Sequence, residues 1–452
     1  MPHPRRQRWK TAVAGVGAAL LTLALLEAGI AGLVAAGALE LEPPRYAAAL
    51  LWDGDDPHYG VWHHPNANAV QTSSCFQVDY HTNSVGARDV ERTLDAKAPR
   101  VVVLGDSFAE GWGVPERQRF SNRLAAATGF EHLNFAMAHF GPYQEALVYR
   151  ELAQRYAHAA VIATLVPVND FVDLDYEAAR RATAYEHRYR PYLVRDAGGF
   201  RRLDYREPRL AHWLRRYTWI YAAADRLTGA VRQRVSGSAG LGGYETAPGV
   251  SYFYDFSEEQ YALLEHSLEL LAQSAQGRKL AIVLIPSQPD LERYERDGPD
   301  PLSARLAAFA ERSGARVVNL LPALHAAARA TPEGFAHFQF ACDYHWNAAA
   351  HALAARLIRE ALAGFVYPLS PEPAPAASRS SESDLARASA SRYLRFEGAS
   401  RVASSSAASA RGRSPRSSES SPTRYWGLLF VGASRAISCQ AASAASVSPS
   451  CS

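Results

Sequence analysis

The chain has 452 residues, 48% of them hydrophobic and 21% charged, enough for one or two globular domains with a sizeable core. A formal net charge of only +3 gives no electrostatic reason to expect a nucleic-acid partner. Four cysteines with no CxxC pair are too few for a disulfide scaffold and give no support to a zinc or redox centre, so neither metal nor cofactor is expected.

Residues 1–10 carry Arg5, Arg6, Arg8 and Lys10. An apolar stretch follows over 11–39, broken only by Glu27. Clustered positive charge ahead of a stretch able to cross about 30 Å of hydrocarbon reads as a transmembrane signal-anchor. Residues 1–10 would then be cytoplasmic, and everything after residue 40 would face outward. A cleaved signal peptide, with Ala36-Gly37-Ala38 as its small-residue site, is the rival reading; the length of the stretch favours the anchor. The flanks of Arg5-Arg6 fit a twin-arginine signal poorly. Glu27 is costly inside a bilayer, so it either pairs with another helix or sits near an interface.

Glu42-Pro43-Pro44 reads as a stiff spacer. Residues 45–98 are rich in turn formers and aromatic residues such as Trp52, Tyr59, Trp62, Phe76 and Tyr80. They read as short strands and loops, an extension packed onto the domain over 99–367. His58, His63 and His64 are irregularly spaced here and read as surface histidines rather than metal ligands. Cys75 and Cys342 both fall in the folded region. A bridge in an oxidising compartment and two independent core residues are both open.

From Pro99 strands and helices alternate. Residues 101–104 form a continuous apolar run, the pattern of a buried parallel strand. A helix is expected over 117–128, ended by Gly129, then a strand over 131–135 and a helix over 144–158. A strand over 160–166 closes on Pro167-Val168-Asn169-Asp170. Residues 171 to about 278 are too long for an ordinary connection. They read as a helical insertion over the strand ends, with a flexible glycine-rich patch at 237–243. Its Tyr185, Tyr189, Tyr192, Trp213, Trp219 and Tyr221 serve either as its own core or as platforms for sugar rings. Alternation resumes with a strand over 279–285, a helix over 303–313, a strand over 315–321 and a last helix over 347–365 capped by Asn347. The repeated units argue for an α/β fold with a doubly wound parallel sheet. The tail, 368–452, is dominated by Ser, Ala, Arg and Pro and reads as disordered low complexity. Its apolar run at 426–431 is the exception, either a weak docking segment or a run without significance.

In a parallel sheet, ligand sites form beyond the carboxyl ends of the strands. Ser107, Asn169 and the segment from Asp343 to His345 all fall at that edge. Ser107 supplies a nucleophilic hydroxyl close to free backbone N–H groups; alone, Gly105-Asp106-Ser107 reads as a serine capping the next helix. His345 supplies a base and Asp343 the carboxylate that orients it, since two residues of separation let an extended segment turn both toward one site. Alone they read as a turn and a histidine near a helix start. Asn169 can donate to an oxyanion, or simply mark an Asn-Asp turn. A further donor is expected from the loop over 134–141.

This order of motifs, Gly105-Asp106-Ser107, a glycine-bearing loop at 139–141, Asn169-Asp170 and Asp343-x-His345, resembles the SGNH (GDSL) hydrolase superfamily. The Asp343-x-His345-Trp346 form, the anchor and Thr82-Asn83-Ser84-Val85-Gly86-Ala87-Arg88-Asp89 make it similar to membrane-anchored bacterial members. Some of their relatives, the alginate O-acetyltransferase-like proteins, modify exopolysaccharides. The resemblance covers about 55–365. It implies a three-layer α/β/α flavodoxin-like fold, with Ser107 as nucleophile, His345 as base and Asp343 as its partner. The implied oxyanion hole is Ser107, Gly141 and Asn169; His139 competes with Gly141 for the glycine position. Pro167 stands where a glycine often precedes the Asn-Asp pair, so the backbone there is expected to differ. The implied activity is serine-dependent hydrolysis or O-acyl transfer outside the cytoplasmic membrane, on an acylated carbohydrate or exopolysaccharide. The expected partners are that substrate, the inner membrane through the N-terminal helix, and polysaccharide-assembly proteins. A noncatalytic, membrane-tethered glycan-binding or scaffold protein and a lipid esterase are the alternatives.

Overall fold

The computed structural model describes residues 4–39, 41, 52–56, 58–179, 190–206, 208–236 and 250–369. The spacer at 42–44, Tyr185, Tyr189, the glycine-rich patch at 237–243 and the tail beyond 369 with its apolar run lie outside them.

Helix Pro4–Ala35 opens the chain, and its Trp9–Ala35 portion is long and apolar enough to cross a membrane. Two antiparallel hairpins follow, as the composition of the extension suggests. β1 (Trp52–Asp56) pairs with β2 (Gly60–His63), and β3 (Asn68–Thr72) with β4 (Gln77–His81). His63 departs from expectation. It lies on β2, fully enclosed, with Nε2 3.3 Å from the Glu110 carboxylate. Alternation along β2 is hidden because all four residues are buried.

The central sheet begins with β5 (Arg100–Leu104), β6 (Glu131–Asn134) and β7 (Ala160–Leu165). A separate hairpin, β8 (Pro191–Asp196) and β9 (Gly199–Asp204), intervenes before β10 (Lys279–Leu284) and β11 (Arg316–Asn319) complete the sheet. The spatial order is β11-β10-β7-β5-β6, with every neighbouring pair parallel. The chain starts inside the sheet, steps one way to β6, then reverses through β7 to β10 and β11. Parallel crossovers are right-handed, so the reversal sends the later crossover helices to the opposite face from the first. Phe120–Thr128 accordingly packs with Ala348–Ala361, while Pro142–Glu151 packs with Glu258–Ser274. This is a three-layer α/β/α arrangement of flavodoxin-like order, and its switch point opens a crevice beyond the carboxyl ends of β5 and β7. Both strands are buried along their whole length, which is why their sequences are mostly apolar, with Arg100 and Thr164 the exceptions.

Several elements differ from the sequence reading. The helix over 117–128 is split, a 3-10 turn at Glu116–Gln118 preceding Phe120–Thr128. The helix expected over 144–158 stops at Glu151, since Leu152 takes φ −126° and leaves helical geometry. Pro167 does not end in a turn. It opens helix Pro167–Asp173 from the first position, where its missing N–H and fixed φ cost nothing. The insertion is mixed rather than helical. Apolar Tyr192, Leu193 and Val194 on one side of Gly198-Gly199 and Phe200 and Leu203 on the other are a hairpin signal masked by the surrounding charge. Helices Arg209–Tyr217 and Trp219–Ser236 follow it, and Glu258–Ser274 already belongs to a sheet layer. Helices Gln288–Asp297 and Leu321–Arg329 were not anticipated. Cys75 and Cys342 are joined in a disulfide, Cα to Cα 5.8 Å, across 267 residues.

Candidate active site

Ser107 follows β5 as the first residue of the short helix Ser107–Glu110. Between them, Gly105 has φ +151°, and a Cβ there would lie 2.0 Å from Thr164 Oγ1 and 2.6 Å from the Ala109 Cβ. Only glycine lets the chain turn this close to β7. Asp106 caps the helix, one carboxylate oxygen accepting from the Phe108 N–H at 2.9 Å. The cap is therefore the residue before the serine, and the Ser107 hydroxyl is left for another partner. That partner is His345, with Ser107 Oγ 2.7 Å from Nε2.

β12 (Gln339–Phe340) pairs antiparallel with β13 (Asp343–Trp346). Residues two apart on a strand share a face, so Asp343 and His345 point the same way. His345 donates twice to Asp343 Oδ1, from Nδ1–H at 2.5 Å and from its backbone N–H at 3.0 Å. With the ring proton on Nδ1, Nε2 accepts from the Ser107 hydroxyl. The Trp112 indole N–H donates to the other oxygen of Asp343 at 3.1 Å, and its ring stacks on His345 with centroids 5.4 Å apart. Tyr344 and Phe108 approach the same imidazole at 4.4 and 5.0 Å. Burial alone would raise the Asp343 carboxyl. The charge and hydrogen bonds of His345, with that of Trp112, outweigh it and hold the group below its ordinary value.

Asn169, on helix Pro167–Asp173, donates from Nδ2 to Asp106 Oδ2 at 2.9 Å. The amide thus stands beside the Ser107 turn, and its nitrogen carries a second hydrogen. Burial pushes Asp106 up to about 6, with the Asp173 charge adding to the rise against the bonds from Asn169 and Phe108. Glu145 and Asp170 are enclosed nearby, and burial, with repulsion from Asp106 and Asp173 and, for Asp170, from Glu145, holds both well above the carboxylate range. Gly141 caps helix Pro142–Glu151, its N–H 3.3 Å from Gln144 Oε1, and a Cβ on it would lie 2.7 Å from the Asp173 Cβ. His139 takes φ +71°, uncommon for a residue with a side chain.

Trp112, Arg190 and Glu110, which sequence reasoning did not single out, brace this arrangement together with Arg88 of the 82–89 segment. Trp112 orients Asp343; the flanking Gly111 and Gly113 are the one local hint of it. Buried Arg190 donates to the His139 carbonyl and, at 2.6 Å, to Asp173, tying the 139–141 loop to the Asn169 helix. Glu110 accepts from the Ala138 N–H at 2.5 Å while facing His63, and Arg88 donates to the carbonyls of Glu110 and Gly111 at 2.8 and 2.6 Å. The segment 82–89 therefore acts as a brace behind the serine helix.

No protein-family model and no curated protein matches the chain. Solved structures do resemble it. A member of the lipolytic G-D-S-L family from Veillonella parvula is 14% identical, aligned over 58% of this chain and 97% of that one, with a TM-score of 0.30. A carbohydrate esterase family 2 enzyme with a carbohydrate-binding domain, from Corynascus thermopiles, is 14% identical over 60% of this chain and 69% of that one, at a TM-score of 0.32. A lipase/acylhydrolase from Enterococcus faecalis is 12% identical over 61% of this chain and all of that one, at 0.31. The functional reading rests on the geometry of the site.

Proposed function

We propose that the protein is a serine-dependent acyl-ester hydrolase or O-acyltransferase. The observation that supports this most directly is the continuous hydrogen-bond chain from Ser107 through His345 to Asp343. His345 Nε2 takes the hydroxyl proton as Ser107 Oγ attacks the acyl carbon, and Asp343, kept ionised, stabilises the imidazolium. The oxyanion is received by the Ser107 N–H, which has no intrahelical acceptor at the helix start, and by the free hydrogen of the Asn169 amide. Gly141 is the third donor: its 3.3 Å bond to Gln144 is weak, and a charge-assisted bond to an oxyanion is stronger. His345 returns the proton to the leaving alcohol. Water or a sugar hydroxyl then attacks the acyl-enzyme, giving its own proton to His345, which passes it to Ser107 Oγ as the bond between the acyl carbon and Oγ breaks, so that Ser107 and neutral His345 are regenerated.

The same reading places the Trp9–Ala35 helix across the cytoplasmic membrane, basic residues inside and the α/β domain outside. The Cys75–Cys342 disulfide supports an oxidising compartment. An acylated carbohydrate is the substrate class, supported by the motif resemblance. Detergent-solubilised full-length chain is expected to release acetate from acetylated oligosaccharides or pass it to a saccharide acceptor, to ignore phospholipids, and to lose both activities in Ser107→Ala. Glycan binding with no turnover in the parent protein would overturn the enzymatic reading.

A further inference from the structure

The N-terminal helix is covered by protein along only part of its length. Every residue from Trp9 to Leu26 is exposed, which at 1.5 Å per residue is about 27 Å of bare apolar helix, close to the hydrocarbon thickness of a bilayer. Cover begins at Glu27 and continues along Ile30, Ala31 and Val34, spaced as one helix face. The element that packs there is helix Trp219–Ser236 of the insertion. Its first two N–H groups, from Trp219 and Ile220, donate to the two Glu27 carboxylate oxygens at 2.6 and 3.0 Å. A charge that is expensive in lipid is thus spent as the cap of a second helix, on groups that lack an intrahelical acceptor.

This contact fixes a height. If the bare segment fills the bilayer, Glu27 marks its outer edge and the start of Trp219–Ser236 sits on that edge. The preceding helix, Arg209–Tyr217, ends there too, with only Thr218 between it and Trp219. It exposes Leu210 (69%), Trp213 (53%) and Tyr217 (44%), and Leu227 on the next helix is 68% exposed. Trp213 and Tyr217 are ring neighbours at 5.8 Å. Exposed Arg209 and Arg226 stand among them. Apolar and aromatic side chains interleaved with arginine suit the headgroup boundary, where rings sit at the interface and guanidinium groups meet lipid phosphate.

We propose that the helix pair 209–227 lies in the outer interface of the membrane that the N-terminal helix spans, held at that depth by Glu27. The inference rests on the membrane-spanning reading given above. Through β9 and β8 the pair connects to Arg190, and so to the His139 carbonyl of the active-site loop. The insertion therefore ties that loop to the bilayer surface.

Nitroxide labels on the full chain test this, with Cys439→Ser and Cys451→Ser as background, in vesicles of phosphatidylcholine and phosphatidylglycerol. Collision with oxygen and with a nickel chelate is compared at Val16→Cys, Leu210→Cys, Trp213→Cys and Ala307→Cys. Positions 210 and 213 are expected to favour oxygen over nickel, between the deep value at 16 and the aqueous value at 307. Values at 210 and 213 equal to that at 307, with 16 still in lipid, overturn this inference alone. Nickel access at 16 overturns the membrane-spanning reading as well. Glu27→Ala is expected to move the 210 label toward the aqueous value, while Glu27→Gln, which keeps an acceptor oxygen, holds it in place. An unchanged 210 label in Glu27→Ala removes Glu27 from the account.

Discussion

The serine and the histidine of this site are positioned by different physics. Ser107 stands at the end of β5, whose Val101 to Leu104 are wholly buried, so its position follows from the packing of the entire sheet. Asp343 and His345 stand on a two-stranded ribbon outside that sheet, which alone would be marginally stable. The ribbon depends on individual contacts. Cys342 is bonded to Cys75, Phe340 meets Phe76 at 4.8 Å, Trp112 holds Asp343, and the Asn347 amide donates to the carbonyls of His337 and Gln339 at 2.9 Å each. Changes on the serine side that disturb packing should cost fold and activity together. Changes on the histidine side should separate them.

The sharpest separation comes from Ser107→Ala, which touches chemistry alone. It is expected to lower kcat/KM by about 10⁴-fold or more with the urea midpoint unchanged. Gly105→Ala is the opposite case. The new Cβ meets Thr164 at 2.0 Å in a left-handed backbone, so stability is expected to fall by about 4 kcal/mol, and activity with it. A normal urea midpoint for that variant would show that the sheet does not set the serine. On the other side, the double variant Cys75→Ser with Cys342→Ser is expected to lose about 3 kcal/mol, because the bridge closes a 267-residue loop. Activity per folded molecule should fall only several-fold.

The pH dependence of stability probes the serine side again. An unperturbed aspartate titrates at 3.8, while burial holds Asp106 at about 6 in the folded chain. Folding therefore takes up a proton between these values, and Asp106's contribution to stability falls as pH rises from about 4 to about 6, by about 3 kcal/mol, then stays level. Urea midpoints across that window should show a smaller decline in Asp106→Asn. An equal decline would assign the slope to other groups. The smallest effect is expected from Trp112→Phe, which keeps the ring against His345 and removes one hydrogen bond to Asp343. A loss of about tenfold in kcat, with KM and the urea midpoint nearly unchanged, fits the value of a bond to a charged group. A matching loss of stability would make Trp112 part of the core.

Legibility in the sequence follows the same division. The apolar run ending in Gly105-Asp106-Ser107 is local, and so is the spacing of Asp343 and His345. Both islands were readable for that reason, as was the strand–helix alternation that produces the sheet. The supports of the ribbon were not. Trp112 and Asp343 are 231 residues apart, and neither has a local pattern that names the other. Arg190 reads as one more charge in a charged segment until β8 carries it to the His139 carbonyl. The close of β7 on Pro167 does not disclose the helix that follows, because proline favours both turns and first helical positions. Cys75 and Cys342 allowed a bridge without choosing it. Glu27 was flagged by its cost in lipid, yet its acceptor role needs a helix start nearly two hundred residues away.

The central claim is that Ser107 is a nucleophile activated by His345, and its rate of covalent capture measures this most directly. Folded full-length chain is treated with a fluorophosphonate, and the modified peptide is located by mass spectrometry in the parent, Ser107→Ala and His345→Ala. The expected result is a single adduct on Ser107, absent in Ser107→Ala and slowed by orders of magnitude in His345→Ala. An adduct on another residue, or equal rates with and without His345, would contradict the account.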